Sequence, residues 1–133
     1  MLLGLAVACG ASTHALSDEE LSPPEAHRLA AAGLVILIDV RRPDEWFETG
    51  VPEHAHAVQM GHPLFATKVE ALAGGERAKP LVLICQAGIQ TRALQRKLIE
   101  SGYRSVAHVR GGVAGLGTDK GWIGYGLPVV ESP

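Results

Sequence analysis

Several features that would direct the reading elsewhere are scarce in this chain. Aromatic residues make up only 5% of the 133 residues, and there are two cysteines, Cys9 and Cys85. Two thiols are too few for a disulfide scaffold, and a chain of this length builds an ordinary hydrophobic core without one. The formal net charge is only -2. Basic residues are scattered, with Arg41-Arg42 and Arg96-Lys97 as the adjacent pairs. The clustered basic face that nucleic acid requires is therefore missing, and no nucleic-acid partner is expected. No apolar run reaches the ~20 residues that span a bilayer, and no internal repeat is visible. What remains, 47% apolar and 20% charged, is the composition of one globular domain.

The N-terminal stretch Met1–Ala15 is apolar and then small-residue rich. It resembles the core and cleavage region of a secretory signal, although no Lys or Arg precedes the apolar run. Residues 1–15 are expected to be an export segment that sends the protein to the periplasm. Ala6-Val7-Ala8-Cys9 also resembles a lipoprotein cleavage box, in which case a lipid on Cys9 would attach the protein to a membrane. Cytoplasmic residence is the alternative. Residues 16–21 read as a polar linker and residues 22–133 as the folded domain.

Ser22-Pro23-Pro24-Glu25 opens a helix. Ser22 can cap it, Glu25 can reach back from three residues later, and Pro23 suits the first helical position. The helix runs to Ala32, and Gly33 is placed to close it. Leu34–Ile38 and Leu81–Ile84 are short continuous apolar runs, as expected of strands buried on both faces of a parallel sheet. Pro43–Phe47 predicts a short helical stretch ended by Gly50, and His54–Met60 a weaker strand. Pro63–Leu72 predicts a helix stopped by Gly74-Gly75, and Thr91–Ser101 another. Ser105–Val109 predicts a strand, and the tail from Gly111 reads as loops with one short helical turn. The fold class is therefore α/β, a mostly parallel central sheet with helices on both faces.

Ligands of open α/β sheets bind beyond the carboxyl ends of the strands. Cys85 sits at such an end, directly after Leu81–Ile84. Gln86-Ala87-Gly88-Ile89-Gln90 follows, and a helix starts near Thr91. The sulfur should thus face loop amides and a helix start, both of which favour an anion, and the thiolate is the nucleophilic form of cysteine. Gly88 lets the loop curl. Thr91 can cap the helix or donate a hydrogen bond into the loop. A buried, inert thiol is the competing reading.

The segment Cys85-Gln-Ala-Gly-Ile-Gln-Thr91 resembles the active-site loop of the rhodanese family. Ile38-Asp39-Val40-Arg41 with Pro43-Asp44-Glu45-Trp46 resembles the family's strand-and-turn signature. Gly50-Val51-Pro52 with Ala55, Gly111-Gly112, and Trp122 with Gly126-Leu127-Pro128-Val129 match further signatures in the same order. The likeness covers about Leu21 to Val130 and is greatest to single-domain rhodaneses of the bacterial periplasm. It implies a monomeric sulfurtransferase with Cys85 as catalytic nucleophile and Gln86, Ala87, Gly88, Ile89, Gln90 and Thr91 as the substrate-binding loop. A sulfane sulfur would pass from a donor, thiosulfate or a persulfide, to a thiol or cyanide through a Cys85 persulfide, with no metal or organic cofactor.

The loop departs from that pattern in its charge. Gln86 and Gln90 stand where arginine is common, so thiosulfate is disfavoured as the donor. Arg92, just beyond the loop, is an accessory candidate expected to point to solvent. Asp39 and Arg41 share the sheet edge with Cys85; a structural ion pair is expected, with Arg41 as an anion guide the alternative. A non-catalytic persulfide carrier or redox-sensitive binding module would need the same loop. The phosphatases that share this fold carry an arginine where Thr91 stands, and a histidine where Ile84 stands, so phosphatase activity is not expected. Among six histidines, His54 and His56 would share a strand face with His62 nearby, but no ligand set is complete at recognisable spacing. His108 is expected to be packed or hydrogen-bonded rather than a catalytic base.

Overall fold

The computed structural model describes residue 16 and residues 19–133. The export segment expected at residues 1–15, with Cys9, lies outside the described residues. In chain order the elements are β1 (Glu20–Leu21), α1 (Pro23–Ala31), β2 (Ile36–Asp39), α2 (Pro43–Thr49), β3 (Val51–Pro52), β4 (His56–Ala57), α3 (Phe65–Leu72), β5 (Leu81–Ile84), α4 (Gln90–Glu100), β6 (Val106–Val109), α5 (Gly121–Gly124) and β7 (Val129–Val130). The central sheet has five strands in the order β1-β6-β5-β2-β4, and every pairing in it is parallel. A separate antiparallel ribbon joins β3 to β7.

The alternation of β2 and β5 divides the core in two. Ile38, Leu81 and Leu83 face a cluster completed by Phe65 and Val69 of α3 and by Leu94 and Leu98 of α4. Leu37, Val82 and Ile84 face the other side, with Ala26 of α1 and Trp122 of α5. Helices thus cover both faces, which is why β5 is apolar at every position and β2 is apolar up to Ile38.

The first helix forms as its sequence requires. Ser22 accepts from the Glu25 amide, and Glu25 reciprocates, completing a capping box. At its other end the Gly33 amide bonds Ala30 O and the Leu34 amide bonds Leu29 O, a Schellman closure. That closure consumes Leu34, so β2 begins at Ile36 rather than at Leu34 and extends to Asp39. The weak strand expected over His54–Met60 shrinks to His56–Ala57. The stretch read as a linker through Leu21 instead ends in β1, an edge strand paired with β6 at Glu20↔His108 and Leu21↔Val109. No helix among the described residues is long and apolar enough to cross a membrane.

Candidate active site

Cys85 is 1% exposed and is a free thiol. It leaves β5 at the carboxyl end of the sheet, and residues 86–89 turn back into α4. The Gly88 N–H donates to Cys85 Sγ at 3.2 Å. Gly88 takes φ +85°, and a Cβ there would press on the Gly111 amide at 2.8 Å. Glycine is thus needed on two counts, conformation and contact. Below the loop, Gly112 has φ +60° and would overlap the Cys85 carbonyl if it carried a Cβ. That approach lets the amides of Val113 and Ala114 hold Cys85 O and Gln86 O at 2.9 and 2.8 Å. The Gly111-Gly112 turn is the bed on which the cysteine loop rests.

Thr91 lies in the first turn of α4 but does not cap it; no side chain caps this helix. Its hydroxyl points inward, 3.5 Å from Cys85 Sγ and 3.1 Å from His108 Nδ1. His108 Nε2 lies 3.5 Å from the Glu20 carboxylate. Register explains the alignment, since Glu20 pairs with His108 and His108 with Leu83 across three neighbouring strands. The expectation of a hydrogen-bonded His108 holds, and its partner connects it to the thiol. Burial pushes the His108 pKa below its ordinary value; Glu20 and Glu19 oppose that shift and Arg92 adds to it.

Asp39 and Arg41 form the expected ion pair, both essentially buried. Arg41 Nε and Nη2 donate to the two carboxylate oxygens at 2.9 and 2.8 Å. The rest of the guanidinium donates to Thr49 Oγ1, Gly50 O and Gln86 Oε1, the last at 2.9 Å. Arg41 therefore reaches the active loop through Gln86 and holds it from behind. Arg92 extends outward and pairs with Glu20 at 3.1 Å.

A cavity of about 320 Å³ opens over the cysteine, lined by Arg42, Glu45, Cys85, Gln86, Ala87, Ile89 and Gln90. Ile89 at its rim is 61% exposed. Arg42, Thr49 and Glu20 were not singled out from the sequence, and Glu45 only as part of the strand-and-turn signature. Their roles arise from tertiary placement, although the position of Arg42 and Glu45 just past the end of β2, next to β5, was a usable signal.

The match to the Rhodanese-like domain model spans residues 22–118. The chain belongs to the rhodanese-like domain family. It is 27% identical over 115 residues to a sulfurtransferase of Allochromatium vinosum, covering 86% of this chain and 92% of that one. The polysulfide-sulfur transferase homodimer of Wolinella succinogenes superposes with a TM-score of 0.64 at 26% identity, over 96% of this chain and 86% of its own. A rhodanese-related protein of Thermoplasma volcanium superposes with a TM-score of 0.62 at 23% identity, over 85% and 98%, and speaks to the fold alone. Family and relatives together support sulfur transfer in general, from a sulfur donor to a thiol acceptor.

Proposed function

We propose that Cys85 carries sulfur as a persulfide in a two-step transfer, and that the donor is a persulfide or polysulfide rather than thiosulfate. The observation that carries this reading is the placement of Cys85 Sγ. It accepts from the Gly88 amide at the base of a cavity otherwise lined by neutral loop residues and the Arg42–Glu45 pair. In the first step the Cys85 thiolate attacks the outer sulfur of R–S–SH. A new Cys85–S bond forms, the donor S–S bond breaks, and R–S⁻ leaves with its electron pair. In the second step an acceptor thiolate attacks the outer sulfur of Cys85–S–SH and departs as the new persulfide, which returns Cys85 to the thiolate. The cavity also admits cyanide as a small acceptor. The Wolinella likeness favours polysulfide as donor.

The thiolate needs somewhere to send its proton. The Thr91 hydroxyl bridges Sγ and His108 Nδ1, so a proton can move from sulfur to the hydroxyl while the hydroxyl proton moves to the imidazole. Glu20 then faces the imidazolium through Nε2. This is a nucleophile, a base and an orienting carboxylate, with a hydroxyl as relay. Burial lowers the His108 pKa, which favours the neutral ring over the imidazolium, and the Glu20 carboxylate opposes that shift and so supports the imidazolium when it forms.

Intact mass spectrometry before and after incubation with glutathione persulfide tests the proposal. Wild type is expected to gain one sulfur and to release it on adding thiol. Cys85→Ser is expected to stay folded and gain none; normal loading of that variant would refute the mechanism. Loading without turnover to small acceptors would favour a persulfide carrier over an enzyme. The mature mass also tests the exported, periplasmic setting that belongs to this reading, since removal of residues 1–15 is expected there.

A further inference from the structure

Three side chains away from the cysteine loop meet at one point. His27 on α1 places Nε2 3.0 Å from Glu53 Oε1, and His54 Nε2 lies 3.6 Å from the same oxygen. The three ligand atoms all fall within 4.8 Å of one another. None of these residues lines the cavity over Cys85. A zinc ion at 2.0–2.2 Å from nitrogen and oxygen donors in tetrahedral array holds those donors about 3.3 Å apart. The two distances to Glu53 Oε1 bracket that value.

The backbone around the cluster is set to present it. His54 has φ +72°, and it is the one non-glycine among the described residues in the left-handed region. A strained residue that persists directs attention to what its side chain does. The Glu53 amide is fixed to Pro128 O at 3.0 Å, and the Ala55 amide closes the turn on Pro52 O at 2.9 Å. Across from this turn, the His27 ring stands edge-on to Trp122 at 5.5 Å, and Trp122 is fully buried. One ligand therefore comes from a helix pinned to the core and two from a short, tied turn. The sequence pairing of His54 with His56 and His62 misses this set because its third member lies 26 residues upstream of Glu53.

We propose that His27, Glu53 and His54 form a binding site for a divalent transition-metal ion, zinc being the fitting member of the class. Two imidazoles and one carboxylate suit that ion, and the half-exposed position of the cluster leaves its fourth coordination site to water. The bound ion fastens α1 to the turn after β3. No redox step is involved, and the site is separate from the sulfur-transfer reading.

The test uses the full chain, stripped with a chelator and titrated with zinc against a chromophoric indicator, with cobalt(II) as a spectroscopic probe. One equivalent is expected to bind, to raise the melting temperature and, with cobalt, to give visible d–d bands. Cys85→Ser and His56→Ala are expected to bind as wild type does. Glu53→Gln and His54→Gly are expected to bind at least tenfold more weakly and to lose the zinc-dependent rise in melting temperature. Glycine accepts the left-handed backbone at position 54, so His54→Gly tests the ligand without threatening the fold. The proposal is overturned if wild type binds no stoichiometric zinc, which would leave the cluster as hydrogen-bonded side chains only. It is equally overturned if both variants bind normally or if binding disappears with Cys85→Ser.

Discussion

Replacing Asp39 by Asn isolates the buried ion pair that supports the cysteine loop. The carboxylate accepts Arg41 Nε at 2.9 Å, Arg41 Nη2 at 2.8 Å and the Arg41 amide at 3.1 Å. An asparagine can keep one oxygen toward Nε and the amide. Its NH₂ must then face Nη2, donor against donor, and the guanidinium loses its counter-charge in a site that is 0–1% exposed. Loss of one partner from a buried pair costs about 3–5 kcal/mol. The lower end applies here, because Thr49, Gly50 O and Gln86 still accept from Arg41. A loss of about 3 kcal/mol is a large share of the ~5–15 kcal/mol that holds a typical domain together. With a urea slope of ~1–3 kcal/mol/M the unfolding midpoint should fall by about 1–3 M. The double variant Asp39→Leu, Arg41→Met should recover much of that stability, since a buried pair can be exchanged for apolar groups at little cost. It should still load sulfur slowly, because Gln86 loses the guanidinium that holds it. A loss below about 1 kcal/mol in Asp39→Asn would refute the buried-pair reasoning. Normal loading in the double variant would refute the positioning role of Arg41.

Two further predictions concern the hydroxyl–imidazole chain. Thr91→Val keeps the shape of the side chain and removes the bridge between Sγ and His108, so persulfide loading at neutral pH should slow about 100-fold or more, the scale of lost general-base assistance, with the urea midpoint falling less than for Asp39→Asn. For His108, the folded pKa lies below the unfolded value of 6.5, so below that pH the unfolded chain binds the extra proton. Stability should be fully present above about pH 6.5 and decline as pH falls toward the folded pKa; urea midpoints between pH 7.5 and 5 check this, and an unchanged slope in His108→Gln would contradict it.

The parts of the fold that could be read in advance are those in which local chemistry and burial agree. Leu81–Ile84 is buried on both faces and apolar throughout, so its limits coincide with β5. Ser22 and Glu25 both satisfy orphan amides within one turn, so the start of α1 is local information. By contrast, β1 consists of an acidic residue and a leucine beside a helix cap, and only the open edge of β6 makes it a strand. The cysteine loop was legible because its residues are contiguous. The extension from Thr91 through His108 to Glu20 was not, because its members come from three separate elements and meet through sheet register. Arg41 was placed correctly as a structural partner of Asp39, but its bond to Gln86 spans 45 positions and follows from β2 lying beside β5.

Charge placement around the loop bears directly on donor choice. Three arginines lie near Cys85 in sequence or space, and each is committed to a carboxylate. Arg41 is buried against Asp39. Arg42 is bound to Asp44 at 3.1 Å and approaches Glu45 at 3.9 Å. Arg92 turns to Glu20 at 3.1 Å. The rim of the cavity therefore offers a dianion such as thiosulfate no unshared positive side chain, and desolvating two negative charges there would go uncompensated. The backbone still favours one negative charge, through the Gly88 amide and the start of α4. The one negative charge favoured at the base is that of the Cys85 thiolate, and the neutral rim beside Ala87 and Ile89 suits the proposed persulfide donor. The donor's protonated terminal sulfur is the electrophile that the Cys85 thiolate attacks, and its organic remainder can lie across the rim. Substituting the exposed Gln90 by arginine would reverse the balance without touching the bond from Arg41 to Gln86, so the same reasoning requires that this change favour thiosulfate over glutathione persulfide.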